Sequence, residues 1–252
     1  MNQINTAKTV NKCSTCVLGQ FCLPVGLSLE DIDKIDTLVT DRIRLKKGEY
    51  LYRQDESLSA IYGIKFGTLK TEYALSDGRS QITGFHIPGE MLGLDGIGEN
   101  AYQSSAVALE DSEACVIKFS DFETLSRQLP SLQHQFHKIM SRELTQDRIH
   151  LLSLGSLRAE ERLASFLLNI SDRLAARGYS SSEYHLRMSR DEIGSYLGIQ
   201  LETVSRLFSR FAESGMIQIK QRHIKLIDMH GLLELAGKSN AVHCAEHNPI
   251  LT

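Results

Sequence analysis

Nine of the chain's 18 glycines fall between residues 48 and 98, and this crowding limits the fold more than any other feature. A glycine at roughly every sixth position leaves no room for a helix of ordinary length. Short strands do fit, and the runs Ala60–Ile64, Leu69–Tyr73 and Gln81–Phe85 have the branched and aromatic character strands favour. Asp77-Gly78 is a hairpin signal. Residues 27–130 therefore read as a short helix capped by Ser28, then a compact antiparallel β-roll closing near Val107–Phe119.

Ahead of the roll, residues 1–26 hold Cys13-Ser-Thr-Cys16-Val-Leu-Gly-Gln-Phe-Cys22, three thiols within ten residues. In a chain with only five cysteines, that density marks a ligand set rather than packing. Cys13-x2-Cys16 suits zinc or iron–sulfur chemistry, and the five residues before Cys22 exceed the usual second knuckle of a zinc ribbon. An iron–sulfur cube needs a fourth thiolate, for which Cys115 and Cys244 remain. On spacing alone, a structural zinc site and free thiols stay open. An odd cysteine count does not suit a secreted disulfide framework, no uncharged apolar run approaches the roughly 18 residues of a membrane span, and the N-terminus has no apolar leader core. The expectation is a cytoplasmic protein with no membrane contact.

After Pro130 the pattern is helical. Leu132, Phe136, Met140, Leu144, Asp147, Leu151 and Leu154 form a seam over 131–156, with one acid in it, as in a homodimer coiled coil. Ile139, Ile149 and Leu152 form the opposite stripe, expected to pack on the roll. Residues 157–240 open with an amphipathic helix over 158–178 ending at Arg177-Gly178. A helix-turn-helix follows: Ser189 caps its first helix, Gly198 breaks it, and the second runs from Leu201 to Glu213. Val204, Leu207, Phe208 and Phe211 point inward, leaving Glu202, Ser205 and Arg206 to meet a major groove. A hairpin wing turns at Gln221-Arg-His. From His185 to Lys225 seven Lys/Arg face four Asp/Glu, a local +3 in a chain of net charge −3, which suits double-stranded DNA. Residues 241–252, with Cys244 between His243 and His247, are expected to be an unstructured tail.

Gly89–Ile97 resembles the phosphate cassette of the cAMP receptor protein family. Where that family has its ribose-binding Glu and phosphate-binding Arg, this chain has Leu94 and Ser104, so no cyclic nucleotide is expected. The whole α+β layout of roll, long helix and winged helix-turn-helix resembles the cAMP receptor protein/FNR superfamily. The cysteine run, Cys115 and Glu202-Thr-Val-Ser205-Arg206 resemble its FNR/Anr type in particular. That resemblance implies a [4Fe-4S] cluster held by Cys13, Cys16, Cys22 and Cys115, with Leu18, Phe21 and Leu23 as an apolar shell. It implies a homodimer governed by Met140, Leu144, Asp147 and Leu151, and an inverted TTGAT-type DNA site. It further implies a surface near Ser76–Arg79 for RNA polymerase. The implied role is oxygen-responsive global control of anaerobic metabolism genes, with no catalytic residue. Two other classes stand beside it: a small-molecule-responsive regulator with structural zinc, and an iron–sulfur electron-transfer protein, which would need a redox-partner site or substrate pocket the sequence does not display.

Overall fold

The computed structural model describes residues 13–16, 18–19, 22 and 27–237. The chain divides into two units, 1–143 and 144–252. In the first, helix α1 (Leu29–Ile35) begins where the Ser28 hydroxyl accepts from the Asp31 amide at 3.2 Å, with Glu30 and Asp31 in its positive first turn. Eight strands follow: β1 (Val39–Leu45), β2 (Tyr50–Tyr52), β3 (Ala60–Phe66), β4 (Leu69–Ala74), β5 (Ser80–His86), β6 (Met91–Leu92), β7 (Ser105–Ala108) and β8 (Ser112–Lys118). They form two antiparallel sheets, ordered β1-β8-β3-β6 and β2-β7-β4-β5. The expected hairpin lies between β4 and β5, with its turn at Asp77-Gly78.

The roll has two cores. One lies between the sheets and contains Leu45, Ile64, Leu69 and the buried Tyr52, Tyr62 and Tyr102. The other gathers Ile35 of α1, Ile61 of β3, Met91 of β6, Ile117 of β8 and Phe122 of helix α2 (Phe119–Gln128) with Leu132 and Ile139 of helix α3 (Pro130–Ser156). Each such side chain fully buried contributes about 1.5–3 kcal/mol. Helix α2 was not foreseen. It follows β8 without a side-chain cap, so no start signal precedes it.

In the second unit, helix α4 (Ala159–Ala175) buries Leu163, Phe166, Leu167 and Ile170. Helix α5 (Arg190–Leu197) opens on a capping box in which Ser189 and Glu192 satisfy each other's amides, at 3.1 and 2.7 Å. It ends at Gly198, whose φ of 63° is left-handed and favours glycine. Helix α6 (Leu201–Glu213) then buries Val204, Leu207, Phe208 and Phe211. Strands β10 (Ile217–Lys220) and β11 (His223–Leu226) make the wing, and β9 (Glu183–His185), not foreseen, pairs on its other edge. Helix α7 (Met229–Leu235), likewise not foreseen, packs on α4. No described helix is long and apolar enough to cross a membrane.

Candidate cysteine site and nucleic-acid interface

Cys13, Cys16, Cys22 and Cys115 are in no disulfide and are partly buried. A 3-10 turn over Cys13–Thr15 is fixed to the C-terminus of α1, where the Ser14 amide and hydroxyl donate to the Asp36 carboxylate at 3.1 and 2.8 Å. Cys13 and Cys22 pack on the second core, and the Cys22 sulfur lies 3.6 Å from the Met91 sulfur. Cys115 sits mid-strand in β8, in register with Arg42 of β1 on one side and Gly63 of β3 on the other. Gly63 is a close approach: a Cβ there would stand 3.3 Å from the Cys22 sulfur. The missing side chain thus opens a cradle between a loop thiol and the strand pair holding Cys115.

Charge ties the four together. Burial, then Cys22, Cys115, Asp36 and Cys16, push the Cys13 thiol up to about 12. Burial also raises Cys115, against the nearby charge of Arg42, which favours the thiolate. Thiolates gathered here repel one another, and a bound cationic group is what would relieve them. Among the described residues, no three His, Cys, Asp or Glu side chains close around one point as single-ion ligands. A four-iron cube is larger than one ion and holds its thiolates farther apart, so the donor set and the Gly63 cradle suit such a group. Of the expected apolar shell, Leu18 is partly buried, while Phe21 and Leu23 lie outside the described residues, as do His243, Cys244 and His247.

The second candidate site is the outer face of α6. Glu202, Ser205 and Arg206 are all exposed, within the first two turns of the helix. The Arg206 guanidinium donates to Thr203 Oγ1 at 3.2 Å, which keeps it along the helix face. Sequence reasoning missed Arg190, whose guanidinium lies 3.2 Å over the Phe208 ring and whose pKa burial lowers to about 10. It missed as well that Arg222 of the wing turn donates to the Arg187 carbonyl at 2.9 Å. A one-residue reading of basic counts cannot show either.

Helix α3 departs from the expectation in one respect. Leu132 and Ile139 are buried in the roll's second core, with Phe136 and Met140 packed against it. The first three seam positions therefore face the roll, and of the stripe assigned to it only Ile139 does. Ile149 and Leu152 stand 59% and 65% exposed. The 4-3 spacing of apolar residues is the same for a docked helix and a coiled coil, and the roll takes the helix only as far as Met140. Leu144 and Leu151 stay exposed with Asp147 between them. In the second unit, His150 stacks on Tyr196 of α5 at 4.0 Å between ring centroids.

Residues 161–235 match the Crp-like helix-turn-helix domain family, and residues 42–128 match the cyclic nucleotide-binding domain family. The chain is 55% identical over 228 residues to the transcriptional regulatory protein Btr of Bordetella pertussis, covering 90% of this chain and 94% of Btr. It is 43% identical over 225 residues to the transcriptional activator protein Anr of Pseudomonas aeruginosa, covering 89% and 92%. The chain belongs to the FNR/Anr-type transcriptional regulators. Within the cAMP receptor protein/FNR superfamily, the solved structure of FixK2 from Bradyrhizobium japonicum superposes with a TM-score of 0.72 at 32% identity, covering 77% of this chain and 96% of that one. As an FNR/Anr-type regulator with a DNA-binding helix-turn-helix, it is not an enzyme.

This FNR/Anr-type roll keeps the cyclic-nucleotide architecture but fills its interior. Tyr52 and Tyr102 stack at 4.0 Å between centroids, with Tyr62 beside them at 5.7 Å from Tyr52. Tyr102 donates to the Ala60 carbonyl at 2.8 Å, and Tyr52 accepts from the Gly93 amide at 3.1 Å. Ser104 donates to Asp95 at 2.6 Å.

Proposed function

We propose that the chain is an oxygen-responsive transcription regulator in which Cys13, Cys16, Cys22 and Cys115 hold a [4Fe-4S] cluster. One observation carries this reading: Cys13 and Cys22 pack against the same apolar core as Leu132 and Ile139 of α3. The bound group would supply an oxygen-labile cross-link between the cysteine loop and the roll. The chain's own residues do the rest. Ser14 on Asp36 fixes the loop to α1, and Ser131 donates to Asp31 at 2.9 Å, fixing α1 to the start of α3. Releasing the loop thiols loosens this shared core and the footing of α3. Leu144, Asp147 and Leu151 on α3 pair with a second copy, and the resulting dimer reads an inverted TTGAT-type repeat. The tyrosine-filled roll takes no cyclic nucleotide, and the exposed Ser76–Arg79 turn meets RNA polymerase. The targets are genes of anaerobic metabolism.

The deciding experiment is iron and acid-labile sulfide analysis of the chain purified under nitrogen, with sedimentation before and after air. Four irons per chain and a dimer that falls apart in air are expected. Stoichiometric zinc, or a chain whose association ignores oxygen, would overturn the reading.

For base reading, Arg206 fits guanine O6 and N7 in a bidentate pair, and Glu202 accepts from cytosine N4. Arg206→Ala should weaken specific binding by roughly 1–3 kcal/mol and relax the preference at the guanine. Anisotropy titrations on half-site variants at fixed salt check this; equal losses on every variant would make Arg206 a phosphate contact instead.

A further inference from the structure

We propose that Arg42, held in place by Glu113, is a positioning residue that fixes and electrostatically tunes Cys115 as a cluster ligand. The inference rests on the cysteine site proposed above and goes beyond the four ligands. Arg42 stands opposite Cys115 in the β1–β8 ladder, and Glu113 is two residues before Cys115, on the same face of β8. The Arg42 Nη1 lies 3.3 Å from Glu113 Oε1, which holds the guanidinium on the strand face that Cys115 shares. Lys65 of β3 shares the same Glu113 oxygen at 3.0 Å, and Arg44 takes the other at 3.1 Å.

The charge count shows what the group is for. Three cations meet one carboxylate, leaving two positive charges over. Arg44 is 87% exposed at its side chain and is screened by water, but Arg42 and Glu113 are only 16% and 17% exposed. Arg42, Arg44 and Lys65 all reach the Glu113 carboxylate within 3.3 Å, so the clamp is a cluster of ion pairs. A neutral thiol gains little from a guanidinium, whereas a thiolate gains a charge-assisted hydrogen bond. The surplus charge thus favours Cys115 as a ligand and lowers electron density on its sulfur. Hydrogen bonds to cluster sulfurs raise the reduction potential, making loss of an electron harder.

The test compares the parent with Arg42→Met, which keeps the length without the charge or donors, and with Arg42→Lys, which restores the charge. All are loaded under nitrogen and assayed for iron, reduction potential and bleaching rate in air. Arg42→Met should lower the potential and bleach on the order of tenfold faster, the size of one charged hydrogen bond. Arg42→Lys should recover most of both. Glu113→Gln leaves the three cations without their carboxylate, so it should raise the potential and slow the bleaching, and it serves if Arg42→Met fails to fold. A parent without iron overturns the cluster reading and this one together. A loaded parent whose potential and bleaching are unchanged in Arg42→Met, or in Glu113→Gln where that variant stands in, overturns the role of Arg42 alone.

Discussion

A Cys115→Ser chain isolated under nitrogen should carry no iron, and Cys13→Ser, Cys16→Ser and Cys22→Ser should match it. Cys244→Ser should load as the parent does. A serine hydroxyl does not ionise in the range where a thiol yields a thiolate, so it is no substitute ligand. Cys115 is pinned by ladders on both sides, to Arg42 and to Gly63, so another residue of β8 cannot slide into its place. The three loop thiols are already needed, which leaves a four-ligand group one short. The fold itself should survive: Ala114 and Ile117 fill the roll's cores, while the partly buried Cys115 is changed by one atom, worth about 1 kcal/mol. Iron and sulfide per chain, with unchanged circular dichroism as the control, decide the matter. Four irons in Cys115→Ser, or none in Cys244→Ser, would put the fourth ligand elsewhere.

The sequence displayed the parts of this protein that local chemistry determines. Ser28 and Ser189 were legible as caps because a cap is a matter of one side chain and its next three residues. The bounds of α6 followed from Gly198 before it and four inward apolar residues within it. Pairings across the chain were not legible. The approach of Gly63 to Cys22, and the line of Arg42 with Cys115, depend on strand register, which no short pattern encodes. Strand β9 is three residues long, too short for alternation to emerge. The largest misreading lay in α3, where Leu132, Phe136 and Met140 had the spacing of a partner helix's seam. What distinguishes the two is which surface reaches them first, and the roll's own core does. The candidate site divides the same way: its residue types were plain, while the clamp of Asp36 on Ser14 and the stack of tyrosines in the roll came only with the fold.

An Asp147→Ala chain should dimerise and bind its DNA site in air, without the group that the parent requires. Asp147 lies three residues after Leu144 and four before Leu151, so the three share one face of α3. Those leucines are 53% and 66% exposed, an apolar surface that burial against a second copy would stabilise. The acid opposes that pairing. Brought against its copy on a two-fold axis, it repels a like charge and must lose water as it does so. Alanine removes both costs, a change of a few kcal/mol. Moving an equilibrium from 1:99 to 99:1 takes about 5.5 kcal/mol, so this one substitution covers much of that gap. Burial lowers the His150 pKa and raises that of Tyr196, and the Asp147 charge acts upward on both, opposing burial at His150 and adding to it at Tyr196. Asp147→Asn therefore serves as the second arm, removing the charge while keeping a polar group in the seam. If charge is the gate, Asn should recover part of the effect and Ala all of it. Sedimentation of the cluster-free chains at the concentration where the loaded parent is dimeric gives the answer, and monomeric Asp147→Ala would mean that the gate lies elsewhere on α3.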